Sequence, residues 1–421
     1  MAKRLNLTDI FCLGLNAIVG SGIFLFPGKM ALLAGPASIL AFLVCGMLLA
    51  VVALCYAELG GMFPRNGASY VYAREAYGLN IGFAVGWISW ATSVFSLAAV
   101  SVAVSFYLSH FNSVFLQVWA DKIIAVGLIC LFGAINYRGI KPGARTVNFF
   151  TLSKVLPLLM FASAGLIRST PSNFSPFSGG EGGFGYAVFL AMWALQGFEV
   201  IAVPAGESDN PQRDIPYATL GSLFCATSIY VLIQAAAIGS YPDLAHSTKK
   251  PLADAASFVM GPLGGTLISA GALFSMTGFI AGAALGAPRY LSALGEDGFI
   301  SGALGRFHCR FGTPYISIFF TTMVAAILVL IFDFHRLVNI TNLAVASQYF
   351  STCLAVIVLR SKKPDHPRPF RISWPWGVGV SGCLISVWLA TRVSASDLLL
   401  GAGILASGFT VLAIKRIRQT I

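Results

Sequence analysis

The chain has 421 residues, of which 57% are hydrophobic and 10% charged, with a mean hydropathy of +0.80. About 25% of residues are charged in a soluble domain, so composition excludes a water-solvated globule and overrides any count of soluble domains from length. The net charge of +11 would suit a nucleic-acid binder, but the basic residues lie in short loops with no basic, aromatic-interleaved domain, so no nucleic-acid partner is expected.

Apolar blocks recur near the ~20 residues that an α-helix needs to cross ~30 Å of hydrocarbon. The period-two alternation of a spanning barrel is missing from the sequence. Twelve spans are predicted in chain order: 10–34, 38–60, 81–109, 121–137, 147–167, 184–206, 217–239, 262–291, 315–332, 337–360, 374–391 and 397–415. Asp121 and Lys122 weaken the fourth, and Pro375 weakens the eleventh. Lys3 and Arg4 precede the first apolar block as in a signal peptide, but the block is too long for one and lacks a small-x-small cleavage site, so it is expected to be retained. The eight cysteines show no CxxC pair or metal-ligand spacing and read as small hydrophobes; no metal or cofactor is expected.

Loop charges set the orientation. With a cytoplasmic N-terminus, alternate loops and the two ends carry nineteen of the 27 lysines and arginines, including Arg138, Lys141, Arg145 and the cluster from Arg360 to Arg371. Such a bias places both termini in the cytoplasm of a multi-pass protein of the plasma (inner) membrane. No loop is long enough for a soluble domain, so residues 1–421 are read as one membrane unit.

Two spans depart from plain hydrophobic helices. The first contains Ile18-Val19-Gly20-Ser21-Gly22, and the sixth contains Trp193-Ala194-Leu195-Gln196-Gly197-Phe198-Glu199 at comparable depth. Glycine costs about 1 kcal/mol in a helix interior relative to alanine, which makes both natural unwinding points. They also open two successive groups of five spans, and an odd-numbered repeat inserts upside down relative to its copy. Interrupted spans at matching positions of two halves point to a binding site near the bilayer midplane. The competing reading of Gly20, Ser21 and Gly22 is a close-packing face between helices.

Breaking a helix inside lipid exposes N–H and C=O groups, each costing several kcal/mol unless satisfied. A zwitterion satisfies both kinds. The half-helix after Gly22 offers N–H groups and partial positive charge to a carboxylate. Carbonyls ending the half-helix before Gly20, and those near Trp193–Gln196, offer themselves to an ammonium. Selectivity would then fall to Trp193, Gln196 and Glu199.

Glu199 is an acidic residue inside a span and reads as attracting a cationic substrate, taking a proton or latching the broken helix, or else as a carboxylate satisfied by neighbouring hydroxyls or amides without coupling. Lys154 stands alone in the fifth span and reads either as a proton carrier or cation stand-in, or as a snorkelling residue. Glu58 with the turn at 64–67 reads as structural. Gly278, Gly282 and Gly286 read as helix packing, and Trp87, Trp90, Phe279 and Tyr290 as packing or interface residues.

Four stretches then become informative together: Val19–Phe24; Tyr56–Leu59 through Phe63–Tyr72; Gly197–Glu199 through Gly206–Pro216; and Pro288–Tyr290 through Glu296–Gly298 with Thr313-Pro314. In this order on a twelve-span frame, the chain resembles the amino acid–polyamine–organocation transporter superfamily over nearly its whole length. The resemblance implies an all-α membrane fold of the leucine-transporter type. Its inverted five-helix repeats would be 10–167 and 184–360, with trailing helices at 374–415, working by alternating access. It also implies that Ser21 and Gly22 hold a carboxylate, and that the Ile18 carbonyl and those around Trp193 and Gln196 hold an amine. Lys154 resembles the fifth-helix lysine of proton-coupled and sodium-independent members, and Trp193 and Glu199 resemble the gating tryptophan and acidic position of the arginine–agmatine exchangers. Small residues around Gly282–Ala284 stand where that subgroup has a tryptophan gate.

The expected function is therefore amino acid transport, proton-coupled or exchanging and independent of sodium. A polyamine or organocation exchanger with Glu199 as counter-charge is the alternative within transport, and a non-transporting amino-acid sensor the alternative outside it. An enzyme is not expected, because no paired acid and base with histidine or metal cluster stands at membrane depth.

Overall fold

A computed structural model describes every residue except 1–4, 66, 118, 139–143, 178–182, 204, 248 and 421. Among the described residues the chain is all helical apart from turns and one isolated bridge between Leu5 and Ser208. The α-helices are α1 (Leu7–Ile18), α2 (Gly22–Ala34), α3 (Ser38–Met62), α4 (Ser69–Tyr77), α5 (Leu79–Leu108), α6 (Ala120–Tyr137), α7 (Ala144–Ile167) and α8 (Phe184–Leu195). They continue as α9 (Pro211–Ser240), α10 (Pro251–Met260), α11 (Pro262–Glu296), α12 (Tyr315–Ile331), α13 (Phe334–Lys362), α14 (Pro375–Ala390) and α15 (Ala395–Thr420).

Local chemistry explains the helix starts. At α1, the Asp9 N–H donates to Asn6 Oδ1 at 2.9 Å and the Asn6 N–H donates back to Asp9 Oδ2 at 3.3 Å, a reciprocal cap. Helices α9, α10, α11 and α14 each begin on a proline, whose missing N–H is one the first turn leaves unpaired anyway.

Helices occupy all twelve expected segments, with two differences. The sixth segment is α-helical only to Leu195 and then continues as short 3₁₀ turns at Phe198–Val200 and Ala205–Glu207. The short helices α4 and α10 were not expected; they are too short to cross a bilayer, so a search for ~20-residue spans passes over them. Each follows the second member of its group of five, α4 after α3 and α10 after α9.

The core lies where α5 packs on α11 and α13, and α3 packs on α9. Helix α11, 35 residues long, reaches about 50 Å at 1.5 Å per residue, more than a hydrocarbon layer requires. Helices α12, α14 and α15 carry large exposed apolar side chains, among them Phe319, Leu384 and Leu399. An apolar outer face around a polar-lined interior is the pattern of a lipid-embedded bundle. Seven helical stretches among the described residues are long and apolar enough to cross a membrane by themselves, and six shorter apolar helices accompany them.

Candidate functional site

The first span breaks at Val19, Gly20 and Ser21, between the end of α1 at Ile18 and the start of α2 at Gly22. The sixth breaks at Gln196 and Gly197, where Gly197 has φ +125°, a conformation that side chains with a Cβ rarely adopt. The two breaks cross. A Cβ on Gly22 would lie 2.5 Å from the Ala194 Cα, and a Cβ on Gly197 would lie 2.7 Å from the Ala17 carbonyl. Each interruption thus carries a glycine where the other chain passes. Glycines that read as unwinding points from sequence are also what lets the two backbones touch.

At the start of α2, the N–H groups of Phe24 and Leu25 both turn back to the Ser21 carbonyl at 3.1 Å. No side chain caps the helix. Among the described residues, the N–H groups of Ser21, Gly22 and Ile23 have no acceptor. Unpaired amides with the positive end of the helix dipole make an anion receptor. The Trp193 indole N–H donates to Ser21 Oγ at 3.3 Å, tying the rim of this receptor to α8.

The carbonyl ends of α1 and α8 are not equivalent. Lys154, 1% exposed on α7, donates through Nζ to the Asn16 carbonyl at 2.8 Å and the Val19 carbonyl at 2.6 Å. Ser275 on α11 also donates to the Val19 carbonyl, at 3.1 Å. The Ile18 carbonyl accepts from the Tyr230 hydroxyl at 2.9 Å and from the Gly20 N–H at 2.7 Å. A carbonyl has two lone pairs, so Ile18, expected to hold an amine, is already saturated from within the protein. On α8, by contrast, the last described bond is Gln196 N–H to the Met192 carbonyl at 2.8 Å. The carbonyls of Trp193, Ala194 and Leu195 accept nothing among the described residues.

Glu199 sits at the latch. Its Oε2 accepts from the Gly197 N–H at 2.8 Å and from the Tyr349 hydroxyl at 3.0 Å. These two bonds tie the carboxylate to the break in the sixth span and to α13. Gln196 Oε1 is buried and has no partner, and the same holds for Asn16 Oδ1 on the last turn of α1.

The structure brings Ile18, Val19, Gly20, Ser21 and Gly22 against Trp193, Ala194 and Gly197, with Lys154 beneath. Sequence reading passed over Tyr230, Ser275, Tyr349 and Asn16. The first three are single hydroxyls in otherwise ordinary spans, and only tertiary packing aims them. Asn16 carried a faint signal, being a carboxamide near mid-span. Gly282 and Gly286 correct an expectation: a Cβ on either would meet nothing within 4 Å, so these two do not pack against another helix. The cysteines are likewise mixed, with Cys45, Cys55 and Cys353 buried but Cys130 and Cys309 exposed.

Two interrupted helices thus cross inside the apolar bundle of a multi-pass membrane protein, with amides on one and carbonyls on the other that are unpaired among the described residues. The chain belongs to the amino acid permease family, whose model matches residues 5–406. It is 30% identical over 394 residues to the branched-chain amino acid permease BcaP of Bacillus subtilis, covering 88% of this chain and 84% of that one. It is 28% identical to the serine/threonine exchanger SteT of the same organism, over 88% of this chain and 86% of that one. A methylthioribose transporter of Bacillus subtilis is also 28% identical, over 92% and 88% of the two chains. The function of the chain is amino acid transport, and both family and relatives are transporters and not enzymes.

Proposed function

We propose that the chain is a secondary transporter that carries amino acids by alternating access, with both termini in the cytoplasm and the plasma membrane as its site. The carboxylate rests on the N–H groups of Ser21, Gly22 and Ile23, and the ammonium on the carbonyls of Trp193, Ala194 and Leu195. Gly20, Gln196 and Gly197 line the crossing, while Ile18, Val19 and Lys154 form its floor. The observation that carries this reading is the crossing itself, where unpaired N–H groups at the start of α2 meet unpaired carbonyls at the end of α8.

The inverted five-helix repeat, one unit spanning the whole chain with two trailing helices, is supported by the matching breaks that open each half. The matching short helices α4 and α10 support it too. Sodium independence follows from Lys154. Its amino group binds the Asn16 and Val19 carbonyls, and such carbonyl-rich ends of broken helices coordinate a coupling ion in sodium-driven carriers. Coupling then falls to protons or to exchange. Polyamine exchange is disfavoured because a polyamine has no carboxylate to satisfy the N–H groups at the start of α2.

Alternating access is supported by an asymmetry between the two sides of the crossing. Toward α10, a Cβ on Gly28 of α2 would fall 2.8 Å from the Leu244 carbonyl, so that side is tightly covered. Toward the end of α11, Gly282 and Gly286 lie seven and eleven residues after Ser275 and therefore on the same helix face, which is open there.

Uptake of labelled amino acids into vesicles holding the purified protein tests the reading. Uptake should follow an imposed proton gradient or internal amino acid, and should be unchanged when sodium is replaced by choline. Uptake of putrescine without any amino acid, or an absolute need for sodium, would overturn it.

A further inference from the structure

Of the three glycines Gly20, Gly22 and Gly197 at the crossing, Gly20 is the least crowded. A Cβ there would have its nearest neighbours at 3.9–4.0 Å, the last being Cδ2 of Phe279 on α11. Two polar atoms belong to this neighbourhood and are left over by everything described above. Asn16 Oδ1 and Gln196 Oε1 are both buried from water and without a hydrogen-bond partner. Asn16 lies on the last turn of α1, two residues before its end at Ile18, and Gln196 adjoins Gly197, which packs against the backbone of Ala17 and Ile18. Buried amide oxygens are nearly always paired, so each orphan calls for an explanation.

We infer that Asn16 and Gln196 set side-chain specificity, selecting neutral amino acids whose side chain bears a hydroxyl or carboxamide over aliphatic ones of the same shape. The inference rests on the amino acid reading of the backbone receptor and adds the class of side chain to it. An aliphatic side chain entering beside Gly20 leaves both oxygens without a partner. A hydroxyl or carboxamide pairs with them, and pairs equally well should either amide turn to present its NH₂, because these groups both donate and accept. A cationic side chain only donates and so lacks that versatility. The Phe279 ring, within van der Waals range of a Cβ on Gly20, gives this neighbourhood an apolar side.

Matched pairs isolate the donor from size: threonine against valine, and asparagine against leucine. Competition against labelled threonine in vesicles holding the full-length protein should give an apparent affinity on the order of tenfold better for the polar member of each pair. Gln196→Leu and Asn16→Leu should shrink that ratio toward one or invert it, while Gln196→Glu, which keeps an acceptor, should retain preference for threonine over valine. A wild-type ratio of one, or a preference for valine, would overturn the inference while leaving amino acid transport standing. So would Gln196→Leu and Asn16→Leu both transporting with the wild-type ratio. If none of the four amino acids competes or enters, the backbone-receptor reading falls, and this inference with it. The wild-type ratio decides the matter even where a variant fails to fold.

Discussion

Replacing Lys154 with methionine keeps the length of the side chain and removes its donors. In the native arrangement Nζ serves the Asn16 and Val19 carbonyls at 2.8 and 2.6 Å. The Val19 carbonyl would still accept from Ser275 Oγ at 3.1 Å. The Asn16 carbonyl would have nothing, because the Gly20 N–H that a continuous helix would offer it is turned to Ile18. One orphaned buried carbonyl costs about 1–3 kcal/mol. The middle of that range, about 2 kcal/mol, corresponds to roughly thirtyfold in the population of the broken-helix arrangement. Removing a buried amine also relieves its own desolvation, so global stability should fall by less than the local arrangement does. The expected outcome is Lys154→Met protein that can be purified, with a melting temperature lowered by only a few degrees and initial uptake reduced at least tenfold. Wild-type uptake by Lys154→Met, at equal protein in the vesicles, would refute the view that this amine holds the first break in shape.

The crossing glycines give a contrast within one fold. Gly22→Val drives a side chain into Ala194 and Gly197→Ala forces both a positive φ and a contact with Ala17, so both should abolish uptake, whereas Gly282→Ala, with nothing within 4 Å, should transport near wild type in the same vesicles. Glu58, 1% exposed at the end of α3, accepts from Arg360 at 2.6 Å and from the Ile372 N–H at 2.8 Å, with Arg368 Nε at 3.6 Å. Glu58→Leu removes the carboxylate that pairs with Arg360 and Arg368 in a buried site, at a cost of about 3–5 kcal/mol, which should appear in thermal melts as a large drop in stability; an unchanged melt would show that the triad holds nothing. For Glu199, glutamine retains an acceptor for the Gly197 N–H, so Glu199→Gln should keep uptake within about tenfold and Glu199→Leu should lose it; equal loss in both would mean that the negative charge itself is required.

Composition and spacing decided the architecture. The alternation of ~20-residue apolar blocks with basic loops points to helices in lipid, since only helices and closed barrels pair all backbone groups there and the period-two pattern of a barrel is missing. The same physics made the breaks legible: Gly20, Gly22 and Gly197 are weak helix residues amid apolar blocks, and weakness inside lipid requires a compensating partner. Lys154 and Glu199 stood out because ionisable groups at such depth are costly and therefore few.

Partnership was decided only in three dimensions. Which carbonyl end is consumed and which is free depends on Tyr230, Lys154 and Ser275 converging on α1 from three other helices, and no sequence spacing encodes that convergence. Glu199 could have faced a solute, a proton path or its own backbone until Tyr349 and Gly197 were found on its carboxylate. Gly282 and Gly286 looked like packing because four-residue glycine spacing is how helices approach, yet whether a neighbour is present depends on where the next helix lies. Periodicity and solvation act along one strand of residues and survive in the sequence. Hydrogen-bond pairing between distant segments is a property of their mutual placement, and it exists only once the chain has folded.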